Sequence, residues 1–231
     1  MLAFVTTMLA GCNDPPCDVG CGVFPPNPQT VACGAFASKD EPPCYCFHPW
    51  NYTCDNSSGV SLAFTLNRST VLAMEGGPGR DEHIWVPGIE AALDSWDDVS
   101  AATLFLSSDD TSDVGAHDGV NVIYLTDDPT ACGDDEAIGA CADPWGEADG
   151  AEVTDCDIAF IDTLCDDSAT CLNFDEDRID LITMHEVGHC LGFAHNTIPT
   201  SIMQGSETLI GGLTELGESD ALAAAYLYDA P

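Results

Sequence analysis

The amino-acid sequence predicts an α+β domain, because β-rich runs and amphipathic helical segments follow one another along most of the chain. Residues 61–66 alternate in the way that is typical of a strand with one buried face. Residues 84–98 carry apolar side chains at helical spacing and should form an amphipathic helix, with Pro87 in its first turn. With 231 residues, of which 45% are hydrophobic, the chain can bury one core of moderate size beside a small appendage.

The other elements of this domain are predicted in chain order by the same patterns. Residues 102–106, 120–125 and 156–161 are β-rich runs of strand length. A helix is expected from Asp175 to Leu191, with acidic residues in its first turn, where the helix dipole favours them. A last helix is expected from Glu215 to Tyr228. The side chains of this helix that can face the core are Leu216, Leu222, Ala223, Tyr226 and Leu227.

One stretch, which begins at His185 and reads H-E-x-x-H-x-x-G-x-x-H, carries the chemistry. His185 and His189 are four residues apart, so on a helix they lie on one face and can bind one Zn²⁺, with Glu186 beside them to carry protons. Gly192 suits a helix exit, because glycine accepts the left-handed backbone without steric cost. This exit lets the chain return and bring His195 to the metal. Three protein ligands and one open position are typical of a catalytic zinc site.

This stretch, together with Met203 eight residues after His195, resembles the signature of the metzincin metallopeptidases. The spacing resembles the matrixin branch, which comprises the matrix metalloproteinases and their bacterial relatives. Asn196 stands where matrixins usually have Ser, and Gln204 and Gly205 stand where Tyr and Pro usually follow the methionine. These departures concern the substrate pocket and not the metal site. Gly205 also occupies the position of the metal-binding Tyr of astacins and serralysins, which argues against those branches.

The resemblance implies a secreted zinc endopeptidase that cleaves protein or peptide substrates. It assigns the zinc ligands to the three histidines, and it makes Glu186 the general base that deprotonates a zinc-bound water and passes the proton to the leaving amine. It places Met203 in a turn that packs beneath the metal without binding it. For the fold it implies a twisted, mostly parallel sheet. Residues 156–161 would be the edge strand that pairs with extended substrate.

Two other functions are kept as alternatives. One is a surface binding protein on a metzincin scaffold, which keeps its zinc but has lost turnover; the presence of Glu186 disfavours it. The other is a calcium-dependent adhesion or structural lipoprotein, which only the acid content supports. Cleavage of casein or gelatin would separate the enzyme from the first alternative, and a zinc measurement would separate both from the second.

The charge of the chain limits its partners. Forty acidic and four basic side chains give a formal net charge of −36, which excludes nucleic acid, because binding it requires Lys and Arg against phosphates. The many acidic side chains indicate either a solvated surface suited to high salt or Asp-rich loops that bind structural Ca²⁺. We assign no ligands to such a calcium ion. The acidic runs are Asp109-Asp110, Asp127-Asp128, Asp134-Asp135-Glu136 and Asp166-Asp167. A second, structural zinc is not expected, since His48, His83 and His117 are scattered.

The first 55 residues indicate export. Residues 1–12 are mostly apolar and end in Leu9-Ala10-Gly11-Cys12, which resembles a bacterial lipobox with Cys12 as the lipid attachment site, although no Lys or Arg precedes it. The alternative is an ordinary secretory signal with an incidental cysteine. Residues 13–55 are rich in Cys and Pro and should be a segment stapled by disulfides. Residues 56–231 would be the catalytic domain. We expect an exported monomer, either a cell-envelope lipoprotein or an extracellular protein, whose only contact with a membrane is the lipid.

Cysteine usage supports this location. Of 13 cysteines, lipidation of Cys12 leaves 12, enough for up to six disulfides in an oxidising compartment. Cys190 lies between zinc-binding positions and should point into the core or join a disulfide, because a fourth ligand would close the open position. Gly20-Cys21-Gly22 weakly resembles the cysteine switch of matrixin propeptides, but its flanking Arg and Asp are absent, which favours a disulfide there too.

Overall fold

A computed structural model of the chain describes residues 60–73, 82–109, 114, 117–128, 130–132, 139–146, 153–161, 176–193, 195–196, 198–204 and 212–228. The described residues contain five strands and four helices. In chain order these are β1 (Ser61–Leu66), α1 (Arg68–Ala73), α2 (Glu82–Asp97), β2 (Thr103–Leu106), β3 (Asn121–Thr126), β4 (Ala140–Gly146), β5 (Val153–Ile161), α3 (Glu176–Cys190) and α4 (Glu218–Tyr228). The signal, lipobox and Cys/Pro-rich segment predicted for residues 1–55 lie outside the described residues.

The strands form one five-stranded sheet in the order β2-β1-β3-β5-β4. β1, β2, β3 and β5 run parallel, and β4 pairs antiparallel with β5. The predicted α+β class with a mostly parallel sheet is therefore confirmed.

The predicted edge strand is wrong. Residues 156–161 belong to β5, which lies inside the sheet between β3 and β4, and β4 is the edge strand on this side. β4 was not predicted, because its sequence, Ala-Cys-Ala-Asp-Pro-Trp-Gly, lacks β-branched residues and contains Pro144. A proline is tolerated in a strand at a sheet edge, where no neighbour needs its missing N–H.

The main core lies between the sheet and helices α2 and α3. Trp85 of α2 meets Phe160 of β5 edge-to-face, with ring centroids 4.9 Å apart. Trp96, also on α2, donates its indole N–H to the carbonyl of Met184 on α3 over 2.8 Å. Both tryptophans are fully buried, so the hydrogen bond satisfies a polar group that would otherwise be costly in this core. These contacts fix α3, and with it the histidine motif, against the sheet.

Two helices begin at positions that differ from the predictions by more than one residue. α2 begins at Glu82, so Pro87 lies in its second turn and not in its first. The helical spacing of apolar side chains begins only at Ile84, so the prediction did not include the polar residues with which the helix begins. α4 begins three residues later than predicted, because the carboxylate of Asp220 accepts the N–H of Gly217 over 2.9 Å and thereby caps the helix there.

The core face of α4 also differs in part. Ala223 is buried and the partly buried Leu216 packs against the core, both as predicted, whereas Leu222 is only partly buried. The buried Tyr228, which was not predicted, donates its hydroxyl to the carbonyl of Leu191, just after α3, over 2.8 Å. The side chains of Tyr226 and Leu227 lie outside the described residues.

Two disulfides join elements near the histidine motif. Cys156–Cys190 links β5 to the last residue of α3, which confirms that Cys190 is a buried disulfide cysteine and not a metal ligand. Cys132–Cys141 links the segment before β4 to β4 itself. No helix among the described residues has the length and apolar character needed to cross a membrane.

Candidate metal centre

The three histidines of the motif converge on one point. The Nε2 atom of His185 lies 3.2 Å from that of His189 and 3.2 Å from that of His195, and the last two are 3.0 Å apart. Within the described part of the chain, this is the one group of three potential metal-binding side chains whose ligand atoms come together.

Local helix chemistry brings the third histidine to the other two. α3 ends at Cys190, and Gly192 has a φ of 96°, a left-handed backbone that a side chain would strain. The N–H of Gly192 bonds the carbonyl of His189, and the N–H of Phe193 bonds that of Gly188, both over 2.9 Å. This is a Schellman motif, which closes the helix and reverses the chain toward His195.

Hydrogen bonds to backbone carbonyls set the tautomers of two histidines. Nδ1 of His185 donates to the carbonyl of Ile202 over 2.6 Å, and Nδ1 of His189 donates to that of Phe193 over 2.8 Å. A carbonyl can only accept, so Nδ1 carries the proton and Nε2 presents a lone pair. Burial lowers the pKa of His185 to about 4 and also holds the pKa of His189 well below its usual value, so both rings are neutral at pH 7.

This donor set fits a zinc ion. Lone pairs that face one another at 3.2 Å cannot bond to each other, and a shared cation removes their repulsion. Neutral imidazole nitrogens are preferred Zn²⁺ ligands at about 2.0–2.1 Å, and nitrogens separated by 3.0–3.2 Å can share one ion at that range. A histidine that binds zinc usually donates its other ring N–H to a carboxylate, a backbone carbonyl or water, and Nδ1 of His185 and Nδ1 of His189 each donate to a backbone carbonyl.

Glu186 lies beside the histidines, and a backbone N–H of the sheet holds its side chain in place. Its side chain is buried, and Oε2 accepts the backbone N–H of Ala142 on β4 over 2.8 Å. Burial raises the pKa of Glu186 to about 8, although the hydrogen bond from Ala142 opposes this shift. A cation bound nearby would lower the pKa, because it favours the carboxylate.

Met203 lies under α3 in a tightly packed turn. It is buried, and a Cβ added to Gly188 would lie only 2.3 Å from its sulfur, so the approach of the turn to the helix requires glycine at that position. The preceding residue, Ile202, provides the carbonyl that orients His185. The position of the turn is thus coupled to the orientation of His185.

Asp220 of α4 fixes this turn, and the sequence analysis missed it. Its Oδ1 accepts the hydroxyl of Ser201, and its Oδ2 accepts the N–H of Ile202 over 2.8 Å. Burial raises the pKa of Asp220, while these hydrogen bonds partly offset the shift. An acid three residues after Gly217 could have suggested a helix cap, but no local pattern connects it with residues 201–202.

The two departures from the usual matrixin pattern have structural roles. Asn196 donates its side-chain amide to the hydroxyl of Ser201 over 2.7 Å and its backbone N–H to the carbonyl of Met203 over 2.7 Å. The buried Gln204 donates to the carbonyls of Pro199 and Ser201, so its side chain folds back onto the turn. Gly205 lies outside the described residues.

The remaining sequence candidates stand apart from this centre. His117 is exposed and stacks on Trp145 with ring centroids 5.0 Å apart, and His83 is exposed on α2. Cys12, Cys21 and His48 lie outside the described residues.

A mostly parallel sheet, a helix that presents two histidines, a third histidine after a glycine turn, and a methionine turn beneath them define a metallopeptidase domain of the metzincin type. A model of the matrixin family matches residues 88–229, more than half of the chain, and the chain belongs to the matrixin family. Matrixins are zinc-dependent metallopeptidases that act on proteins. No curated protein matches the chain.

Proposed function

We propose that the protein is a zinc-dependent endopeptidase. The observation that supports this most is the convergence of three histidine Nε2 atoms beside a buried glutamate, in a chain of the matrixin family. His185, His189 and His195 would hold the ion. Bound Zn²⁺ would supply the Lewis acidity that activates water and polarises the scissile carbonyl.

Glu186 would be the proton carrier and not a ligand. Its Oε2 is engaged by the N–H of Ala142, so we assign proton transfer to Oε1. A carboxylate held in this way can accept the proton of the attacking water and later donate it to the leaving amine.

Extended peptides would bind along β4. This strand is the sheet edge next to Glu186, since Ala142 contacts that side chain directly. A peptide that adds to this edge as another strand would carry its scissile bond past the histidines. We therefore assign to β4 the pairing with substrate that was expected of residues 156–161.

Zinc analysis combined with a cleavage assay tests the proposal. We expect the purified protein to bind one zinc per chain and to cleave casein or gelatin. Prolonged chelation should abolish cleavage, and added Zn²⁺ should restore it, because three protein ligands bind the ion reversibly. Full cleavage after the metal has been removed would refute the zinc mechanism. Stoichiometric zinc without cleavage would favour a non-catalytic binding protein.

A further inference from the structure

The outward edge of β4 can be read from its pairing with β5. The N–H of Ile161 bonds the carbonyl of Gly139 over 2.9 Å, so Gly139 points its backbone groups toward β5. Along an antiparallel strand this direction alternates, which turns the backbone N and C=O groups of Ala140, Ala142 and Pro144 away from β5. The bond from Ala142 to Glu186 agrees with this assignment, because α3 lies outside the sheet.

This edge has no free donor between Ala142 and Pro144. The N–H of Ala142 is already engaged by Glu186. Pro144 has no N–H at all. The carbonyls of the half-buried Ala142 and the buried Pro144 point outward and remain as acceptors, since among the described residues neither of them accepts a hydrogen bond.

We propose that Pro144 is a specificity-determining residue, which makes the stretch of this edge from Ala142 to Pro144 accept hydrogen bonds from a substrate strand without donating any. The inference rests on the proposed peptidase function. A paired peptide would then donate N–H groups from two residues that are two positions apart. Neither residue could be proline, since proline lacks the donor. The residue between them turns its N–H away from β4, so proline or another N-substituted residue is tolerated there.

A scan of N-methylated peptides tests the pattern. A peptide that the full-length protein cleaves is first mapped for its scissile bond and then N-methylated at one residue at a time. We expect kcat/KM to fall at least about tenfold at two positions separated by one tolerant position, because each methyl removes a donor and crowds a carbonyl. The intervening residue is the internal control.

Pro144→Ala tests the missing donor. The alanine supplies an outward N–H, so cleavage of an extended peptide should rise about 2–10-fold, which is the usual net effect of one hydrogen bond. A shortened peptide that ends before this position should be cleaved at the parental rate. Pro87→Ala, which removes a proline from α2, should leave both rates unchanged.

The outcomes separate a failure of the role proposed for Pro144 from a failure of the proposed peptidase function. If the parent cleaves the peptide but the scan is flat, or if Pro144→Ala changes the extended and shortened peptides alike, Pro144 has no such role while the peptidase stands. If the parent cleaves none of the peptides, the proposed function fails, and this inference fails with it.

Discussion

At the residue scale, Glu186 has an environment that a metal ion should change. The carboxyl group is buried between α3 and β4, and its pKa is raised to about 8 by that burial. In the unfolded chain it should ionise near its ordinary value of 4.5. Between these two pH values the unfolded state therefore holds fewer protons than the folded state, and the stability of the metal-free protein falls as pH rises.

We accordingly predict that the thermal midpoint of the metal-free protein declines between pH 5 and about 8 partly through Glu186. Glu186→Gln cannot ionise, so its midpoint should decline less over the same range, and Zn²⁺ should narrow the difference by stabilising the carboxylate. Scanning calorimetry of both proteins across this range measures the effect. Parallel curves for the two metal-free proteins would show that the glutamate is not buried in its neutral form.

At the element scale, the histidine motif on α3 could be predicted from the sequence, whereas the strand and the hydrogen bonds that hold the motif in place could not. The spacing of His185, His189 and Gly192 encodes a helix with a defined exit, because these relations are local. β4 was missed since an edge strand with Pro144 lacks the usual pattern of a strand. The contact of Asp220 with the methionine turn was missed because it joins residues 18 to 19 positions apart, which periodicity does not relate.

Asp220→Asn should therefore loosen the methionine turn. An amide nitrogen cannot accept the hydrogen bonds that the carboxylate receives, so we expect a loss of about 1–3 kcal/mol in the free energy of unfolding. Zinc affinity should fall roughly 10–100-fold, because the carbonyl of Ile202 orients His185. Urea titration and competition with a zinc indicator measure the two effects.

Glu218→Gln is the matched control, since this acid lies exposed in the same turn of α4. It should leave both stability and zinc affinity near the parental values. Equal effects of the two variants would indicate a general change in charge at the start of α4 and would contradict the specific role of Asp220.

At the scale of the whole molecule, the resemblance to matrixins predicted protein substrates, and the family match supports this substrate class. The net charge of −36 argues against nucleic acid as a partner, which stays a prediction. The strand order of the sheet could not be predicted, because it depends on long-range pairing. Structural calcium stays a prediction without assigned ligands.

Attachment to a membrane through Cys12 is a separate prediction for the whole molecule. In a bacterial host the parent should partition into detergent, whereas Cys12→Ser should appear in the soluble fraction, because the substitution removes the residue to which the lipid would be attached. Mass spectrometry of the mature N-terminus identifies the attached group. A mature chain that starts elsewhere and carries no lipid would leave an ordinary secretory signal as the explanation.

A pair of variants separates proton transfer by Glu186 from zinc binding by the histidines. Zinc content and peptide cleavage are measured together for Glu186→Ala and His189→Ala. We predict that Glu186→Ala keeps its zinc and loses about 10²–10⁴-fold in kcat, the usual contribution of a positioned proton carrier. His189→Ala should lose both zinc and cleavage, since it lacks one of three ligands. Near-parental cleavage by zinc-loaded Glu186→Ala would contradict the account.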